Sequence, residues 1–252
     1  MEIREYGKEN SEVIMLLHGG GLSWWNFRSE AELLQDRYHV ILPVLDGHSD
    51  TNEPFTTIED NAQRLIEFID ERFNGQLLLI GGLSLGGQVL TEMFAQRHDI
   101  CEYAVIESAS VIQSGLTEKL IGPSVSSSYG LISKEWFSRM QFRYLGIRKD
   151  LFEDYYRDTV KITKDNMISF LKASSAYQLK EDLRQCNAKV RVVVGSRELK
   201  NMIGSARMLN ETLPQSTLEI KEGLIHGQYS LNQPEEYVKD VLRMLEQAEG
   251  KD

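Results

Sequence analysis

The stretch Gln76-Leu77-Leu78-Leu79-Ile80-Gly81-Gly82-Leu83-Ser84-Leu85-Gly86-Gly87 decides how the rest of the chain is read. Gln76 to Ile80 is a short apolar run without alternation, which suits a strand covered on both faces. Ser84 to Arg97 reads as a helix leaving that strand after a glycine-rich turn. A turn that lifts a serine off a strand end strains its backbone, and side chains two positions away on either side would collide. Gly82 and Gly86 meet that requirement, and Gly87 gives the helix room to pack against the sheet. Gly82-Leu83-Ser84-Leu85-Gly86 therefore fits G-x-S-x-G in its strand–turn–helix context, with Ser84 as candidate nucleophile. A glycine-rich turn that binds phosphate, or merely turns, is the competing reading.

Working outward, Val13 to Leu17 is a second continuous apolar run, ending in His18-Gly19-Gly20-Gly21, and Tyr38 to Val44 a third, ending at Asp46-Gly47-His48-Ser49. Thr57 to Phe73 carries Leu65, Ile66 and Ile69 at helical spacing among charged residues. Tyr103 to Ile106, Val190 to Val194 and Leu218 to Ile220 read as further strands, with helices around Ser205 to Leu213 and from Pro234 to Gln247. Alternating strands and helices predict an α/β fold, a mostly parallel, doubly wound sheet with helices on both faces.

One region breaks that rhythm. From Ser108 to Gln185 there is no strand signal, only helical patterns rich in aromatics, opening with a polar, flexible segment at Ser124-Val125-Ser126-Ser127-Ser128. We read residues 1–107 and 186–252 as the core and 108–185 as a helical cap, or lid, inserted over the carboxyl edge of the sheet. Its aromatics can line a pocket or simply form core.

A serine hydroxyl needs a base to take its proton. Of the five histidines, His39 lies within a strand, His98 at a helix end and His48 in an early loop, whereas His226 follows the last strand. His18-Gly19-Gly20-Gly21 resembles the oxyanion loop of α/β hydrolases, and Gly223-Leu224-Ile225-His226-Gly227 stands where that family places its base. The resemblance, to a small bacterial-type serine esterase, covers nearly the whole chain in order, the insertion only loosely. It implies oxyanion donors at the N–H groups of Gly20 and Leu85, with His18 structural. The family's acid follows the next-to-last strand, here in Val194-Gly195-Ser196-Arg197-Glu198. Glu198 takes the place where most relatives have Asp, and a surface charge pair with Arg197 and Lys200 is the bland alternative. Glu107 is an alternative acid and Asp46 a weaker one. Trp24 and Trp25 after the oxyanion loop are candidate substrate-binding residues, or core.

The implied reaction is hydrolysis of a small-molecule ester by acyl transfer to Ser84, with thioesters, lactones and amides open. Lyase or perhydrolase chemistry, and ligand binding without turnover, occur on the same scaffold. No metal-ligand spacing and no dinucleotide fingerprint occurs, so neither metal nor cofactor is expected. A formal net charge of −10 weighs against nucleic acid and anionic membranes as partners. The two cysteines, Cys101 and Cys186, lack a CxxC spacing. With no apolar leader at the N-terminus, they read as reduced thiols of a cytoplasmic protein. Homo-oligomerisation is left open.

Overall fold

In the computed structural model, which describes residues 2–49, 51–113 and 115–249, the chain opens with β1 (Ile3–Tyr6), β2 (Val13–Leu17), α1 (Arg28–Leu34), β3 (His39–Pro43) and α2 (Ile58–Phe73). There follow β4 (Leu77–Leu83), α3 (Leu85–Gln96) and β5 (Cys101–Glu107), then four helices in succession: α4 (Gly115–Ile132), α5 (Glu135–Leu145), α6 (Phe152–Thr159) and α7 (Lys164–Ala176). The chain ends with β6 (Lys189–Gly195), α8 (Lys200–Thr212), β7 (Ser216–Lys221), α9 (Gln228–Asn232) and α10 (Pro234–Glu249).

The strands form one sheet in the order β1-β3-β2-β4-β5-β6-β7. All neighbours pair in parallel except β1, which runs antiparallel to β3 with Ile3 opposite Pro43. Alternate residues of each strand feed two separate cores, because successive side chains leave a strand on opposite faces. Met15, Leu17, Ile41, Ile80, Ile106 and Val192 pack with α2, α3 and α8, whereas Ile14, Leu16, Val40, Leu79, Val105 and Val193 pack with α1 and α10. The doubly wound sheet expected from the continuous apolar runs is therefore present.

Local chemistry sets the helix ends. The Thr57 side chain accepts the Asp60 N–H at 2.9 Å to cap α2, and Asn74 closes it in the left-handed conformation, φ 53°. Between these caps Ile58, Ala62, Leu65, Ile66 and Ile69 are buried, each large side chain contributing about 1.5–3 kcal/mol.

The inserted helices lie over the carboxyl ends of β2 and β3. Asn166 of α7 accepts the Phe55 N–H at 3.1 Å, and the Thr159 hydroxyl of α6 donates to the Gly21 carbonyl at 3.3 Å. One expectation is corrected here. Ser124 to Ser128 is not a flexible segment but part of α4. Ser127 and Ser128 donate their hydroxyls to the Ser124 carbonyl, both at 2.9 Å, so the polar side chains are satisfied by the helix itself.

Candidate active site

The end of β4 brings Ser84 to the carboxyl edge of the sheet. Ser84 has φ 53° and ψ −111°, a conformation that costs a non-glycine residue of order 1–3 kcal/mol and persists only where neighbours enforce it. They do so here: its N–H donates to the Glu107 carbonyl at 2.8 Å, and its own carbonyl accepts the Gln88 N–H at 2.9 Å as α3 begins. A Cβ on Gly82 would lie 2.5 Å from the Gly86 carbonyl oxygen, and one on Gly86 would strike the Leu17 carbonyl. Both glycines are thus required by backbone contact.

Two later loops deliver the partners. His226 follows β7, and its Nε2 lies 3.0 Å from the Ser84 hydroxyl while its Nδ1 lies 2.9 Å from Glu198 Oε2. Glu198, in the turn after β6, has a side chain only 1% exposed. Its Oε1 accepts the Gly195 N–H at 2.8 Å and the Ser108 hydroxyl at 2.7 Å. Burial alone pushes this carboxyl up. The His226 hydrogen bond and charge, with the Gly195 and Ser108 donors, outweigh burial and hold it below the usual carboxylate range. An ionised Glu198 accepts at Nδ1, which leaves Nε2 free to take a proton from the serine. The two loops are tied together, since the Arg197 N–H donates to the Leu224 carbonyl at 3.0 Å.

The glycine loop after β2 is held from both sides. His18 accepts the Leu45 N–H at Nε2, 3.0 Å, so its proton sits on Nδ1, which donates to the Gly19 carbonyl at 2.8 Å. Burial, with the nearby His48, lowers the pKa of His18 to about 3, so it is a neutral strut. The Asn26 side chain accepts the Gly19 N–H at 3.1 Å. Gly20 then faces Leu85, whose Cβ lies 3.6 Å from where a Gly20 Cβ would be. Among the described residues neither the Gly20 nor the Leu85 N–H has a protein acceptor. Leu85 is also the first residue of α3, where the helix dipole favours negative charge.

The remaining candidates lie elsewhere. The Glu107 carboxylate is buried and turned to the Ser230 N–H, 3.2 Å from Oε2, not to His226. Asp46 pairs with Arg64 at 2.9 Å. Trp24 and Trp25 lie in a 3-10 turn over Trp24–Phe27. Trp25 is 1% exposed in the core, its indole N–H donating to Asp158 at 3.0 Å, and Trp24 stacks with Arg4 and Arg28. Phe170 of α7 abuts the loop, 3.3 Å from where a Gly20 Cβ would be. Ser108 and Asn26 were not anticipated. The one local signal for Ser108 is a polar residue directly after the buried end of a strand. Among the described residues no group of three or more His, Cys, Asp or Glu is arranged to hold a metal.

A parallel sheet carrying a strained serine between a strand and a helix, with a histidine and an acid from later strand ends, defines the α/β-hydrolase class. The chain belongs to the alpha/beta hydrolase family, whose sequence profile matches residues 14–237. No curated protein sequence matches it. Among solved structures it is similar to a thermophilic esterase from Thermogutta terrifontis, at 19% identity and TM-score 0.79 over 98% of this chain and 93% of that one. It is also similar to an enol-lactonase from Burkholderia xenovorans LB400, at 16% identity and TM-score 0.78 over 97% and 95%. A bromoperoxidase from Bacillus anthracis matches at 16% identity and TM-score 0.81 over 97% and 94%. At these identities the likeness is one of fold.

Proposed function

We propose that the protein is a serine hydrolase that cleaves a small carboxylic ester through an acyl-enzyme on Ser84. The observation that carries the reading is the unbroken relay from the Ser84 hydroxyl through His226 to Glu198, at 3.0 and 2.9 Å. Ser84 Oγ attacks the carbonyl carbon as its proton passes to His226 Nε2. Glu198 holds the ring in the required tautomer and stabilises the imidazolium. The N–H groups of Gly20 and Leu85 receive the oxyanion, which a preorganised pair of backbone donors stabilises more than the ground-state carbonyl. His226 then gives its proton to the departing alcohol, and water, deprotonated by the same ring, releases the carboxylic acid. Thioesters and lactones are cleaved by the same sequence of steps.

The test is labelling with a fluorophosphonate followed by turnover of p-nitrophenyl esters of increasing acyl length. Stable modification of Ser84 together with ester turnover, both lost in folded Ser84→Ala, is the expected result. Turnover unchanged in Ser84→Ala would overturn the assignment, and labelling without turnover of any ester would mark a ligand-binding protein instead.

A further inference from the structure

Helix α5 buries one side and leaves the other bare. Ser138 and Phe142, one turn apart, face inward, with Phe142 against the rings of Phe152 and Tyr155 at 5.4 and 5.2 Å. On the outer side Trp136, Met140 and Tyr144 recur every fourth residue and are 62%, 54% and 87% exposed. Single exposed apolar residues are ordinary, but a row of three along one helix is an unpartnered face.

Beside that row runs a second one, Arg139 and Arg143. From residue 134 to 149 the chain carries Lys134, Arg139, Arg143, Arg148 and Lys149 against Glu135, in a protein of net charge −10, and the acids just beyond, Asp150 and Glu153, are engaged by Arg148 and Arg139. Arg139 is engaged with Glu135 and Glu153. Among the described residues Lys134, Arg143 and Lys149 have no carboxylate within ion-pair distance. Between α5 and the start of α6 the surface dips into a groove of about 280 Å³. Buried Phe142, Ile147 and Phe152 form its floor, and Arg139, Arg143 and Lys149 its rim.

We propose that this face docks the protein on an anionic lipid surface. Trp136, Met140 and Tyr144 enter the boundary between headgroups and acyl chains, where amphipathic rings are favoured. Arg143, Lys149 and Lys134 meet the lipid phosphates. The net negative charge does not prevent this, because at physiological salt charges farther than about 8 Å are largely screened and the local island decides. A second copy of the chain is a poorer occupant. The three apolar side chains offer on the order of 400 Å², below the roughly 800 Å² per partner of a standard interface.

Co-sedimentation of the Ser84→Ala protein with phosphatidylglycerol and with phosphatidylcholine vesicles tests this without reference to turnover. Partition onto phosphatidylglycerol alone is expected, with a blue shift of tryptophan emission that Trp136→Phe abolishes. The double variant Arg143→Ala/Lys149→Ala should bind about 25-fold more weakly, roughly fivefold per cation removed. Trp136→Ala/Tyr144→Ala should also lose binding while its circular dichroism is unchanged. Equal partition of the parent and the double cation variant would overturn the proposal. So would release by inorganic phosphate at matched ionic strength, which marks a free-anion site. A dimer in sedimentation velocity that Trp136→Ala dissolves would assign the face to self-association instead.

Discussion

The main-chain carbonyl of Glu107 accepts the N–H of Ser84 at 2.8 Å, while the carboxylate of the same residue accepts the N–H of Ser230, at 3.2 Å from Oε2. Ser230 lies in α9, four residues beyond His226. One residue at the end of β5 thus ties the serine turn to the segment that follows the histidine, and it does so from beneath, without joining the relay. Its carboxyl is buried and feels the charges of His226 and Glu198, and it acts in turn on the buried Glu30 of α1 and Tyr237 of α10.

Burial raises the pKa of Glu107 to about 7, against the opposing Ser230 hydrogen bonds and the charge of His226. A carboxyl whose folded-state pKa lies above its unfolded value weakens the fold as pH rises between the two values. Glu107→Gln cannot ionise and keeps an acceptor for Ser230. It should therefore exceed the parent in stability at pH 8, by up to about 3 kcal/mol, the gap closing toward pH 4.5. Glu107→Ala also removes the acceptor and should lose about 1–3 kcal/mol at about pH 4.5, a loss that the absent ionisation cost offsets at pH 8. Thermal melts at the two pH values check both, and identical melting of parent and Gln variant at pH 8 would refute the raised pKa.

Glu198 is longer than the Asp expected at its position, and the extra methylene is used. One oxygen reaches His226 while the other is held by the Gly195 N–H and the Ser108 hydroxyl. Glu198→Gln should lower kcat by about 10³–10⁴, because an amide N–H facing Nδ1 selects the wrong tautomer. Glu198→Asp cannot span the three partners at once and should lower kcat about tenfold, with KM little changed. Steady-state kinetics on a soluble ester give both values.

Most of the sheet was legible because both of its faces are covered, so Val13 to Leu17 and Leu77 to Ile80 read as unbroken apolar runs. β1 was not. Ile3-Arg4-Glu5-Tyr6 is a half-exposed antiparallel edge strand, and four residues are too few to establish a period. Ser84, Glu198 and His226 were legible from chain order, each standing at the end of a strand. The donors that fix them were not: Ser108 meets Glu198 across 90 residues of chain, and only the register of β5 beside β6 makes them neighbours. For Trp25 the sequence left pocket lining and core both open, and only the fold, which buries the ring and brings Asp158 to its indole N–H from 133 residues away, supplies its surroundings.

Glycine substitutions separate backbone contact from empty space. A Cβ on Gly86 would meet the main chain of Leu17 and His18, neither of which can retreat without breaking the sheet. Gly86→Ala should cost more than about 3 kcal/mol or fail to yield folded protein. A Cβ on Gly130, within α4, would meet nothing within 4 Å. Gly130→Ala should stabilise by about 0.5–1 kcal/mol, since alanine loses less freedom in a helix. Denaturant titration of the two variants should place them on opposite sides of the parent.

His18 and His48 make the loops around the site sensitive to acid. Burial lowers their pKa values to about 3 and about 4, from an ordinary value of 6.5. Between those limits the unfolded chain binds protons that the folded one refuses, so stability is complete above pH 6.5 and declines as pH falls. From pH 7.5 to pH 5 each histidine accounts for about 2 kcal/mol of that loss. His48 donates Nδ1–H to the Asp46 carbonyl at 3.0 Å and stacks on Phe170 at 4.5 Å, while its buried Nε2 has no partner. His48→Phe keeps the stacking, loses one hydrogen bond and removes one unsatisfied atom, so its stability at pH 7.5 should fall within about 1 kcal/mol of the parent. Its loss of stability on going to pH 5 should be smaller than the parent's by about 2 kcal/mol. Denaturant titrations at both pH values measure the difference, and parallel acid slopes for the two proteins would show that His48 titrates normally in the fold.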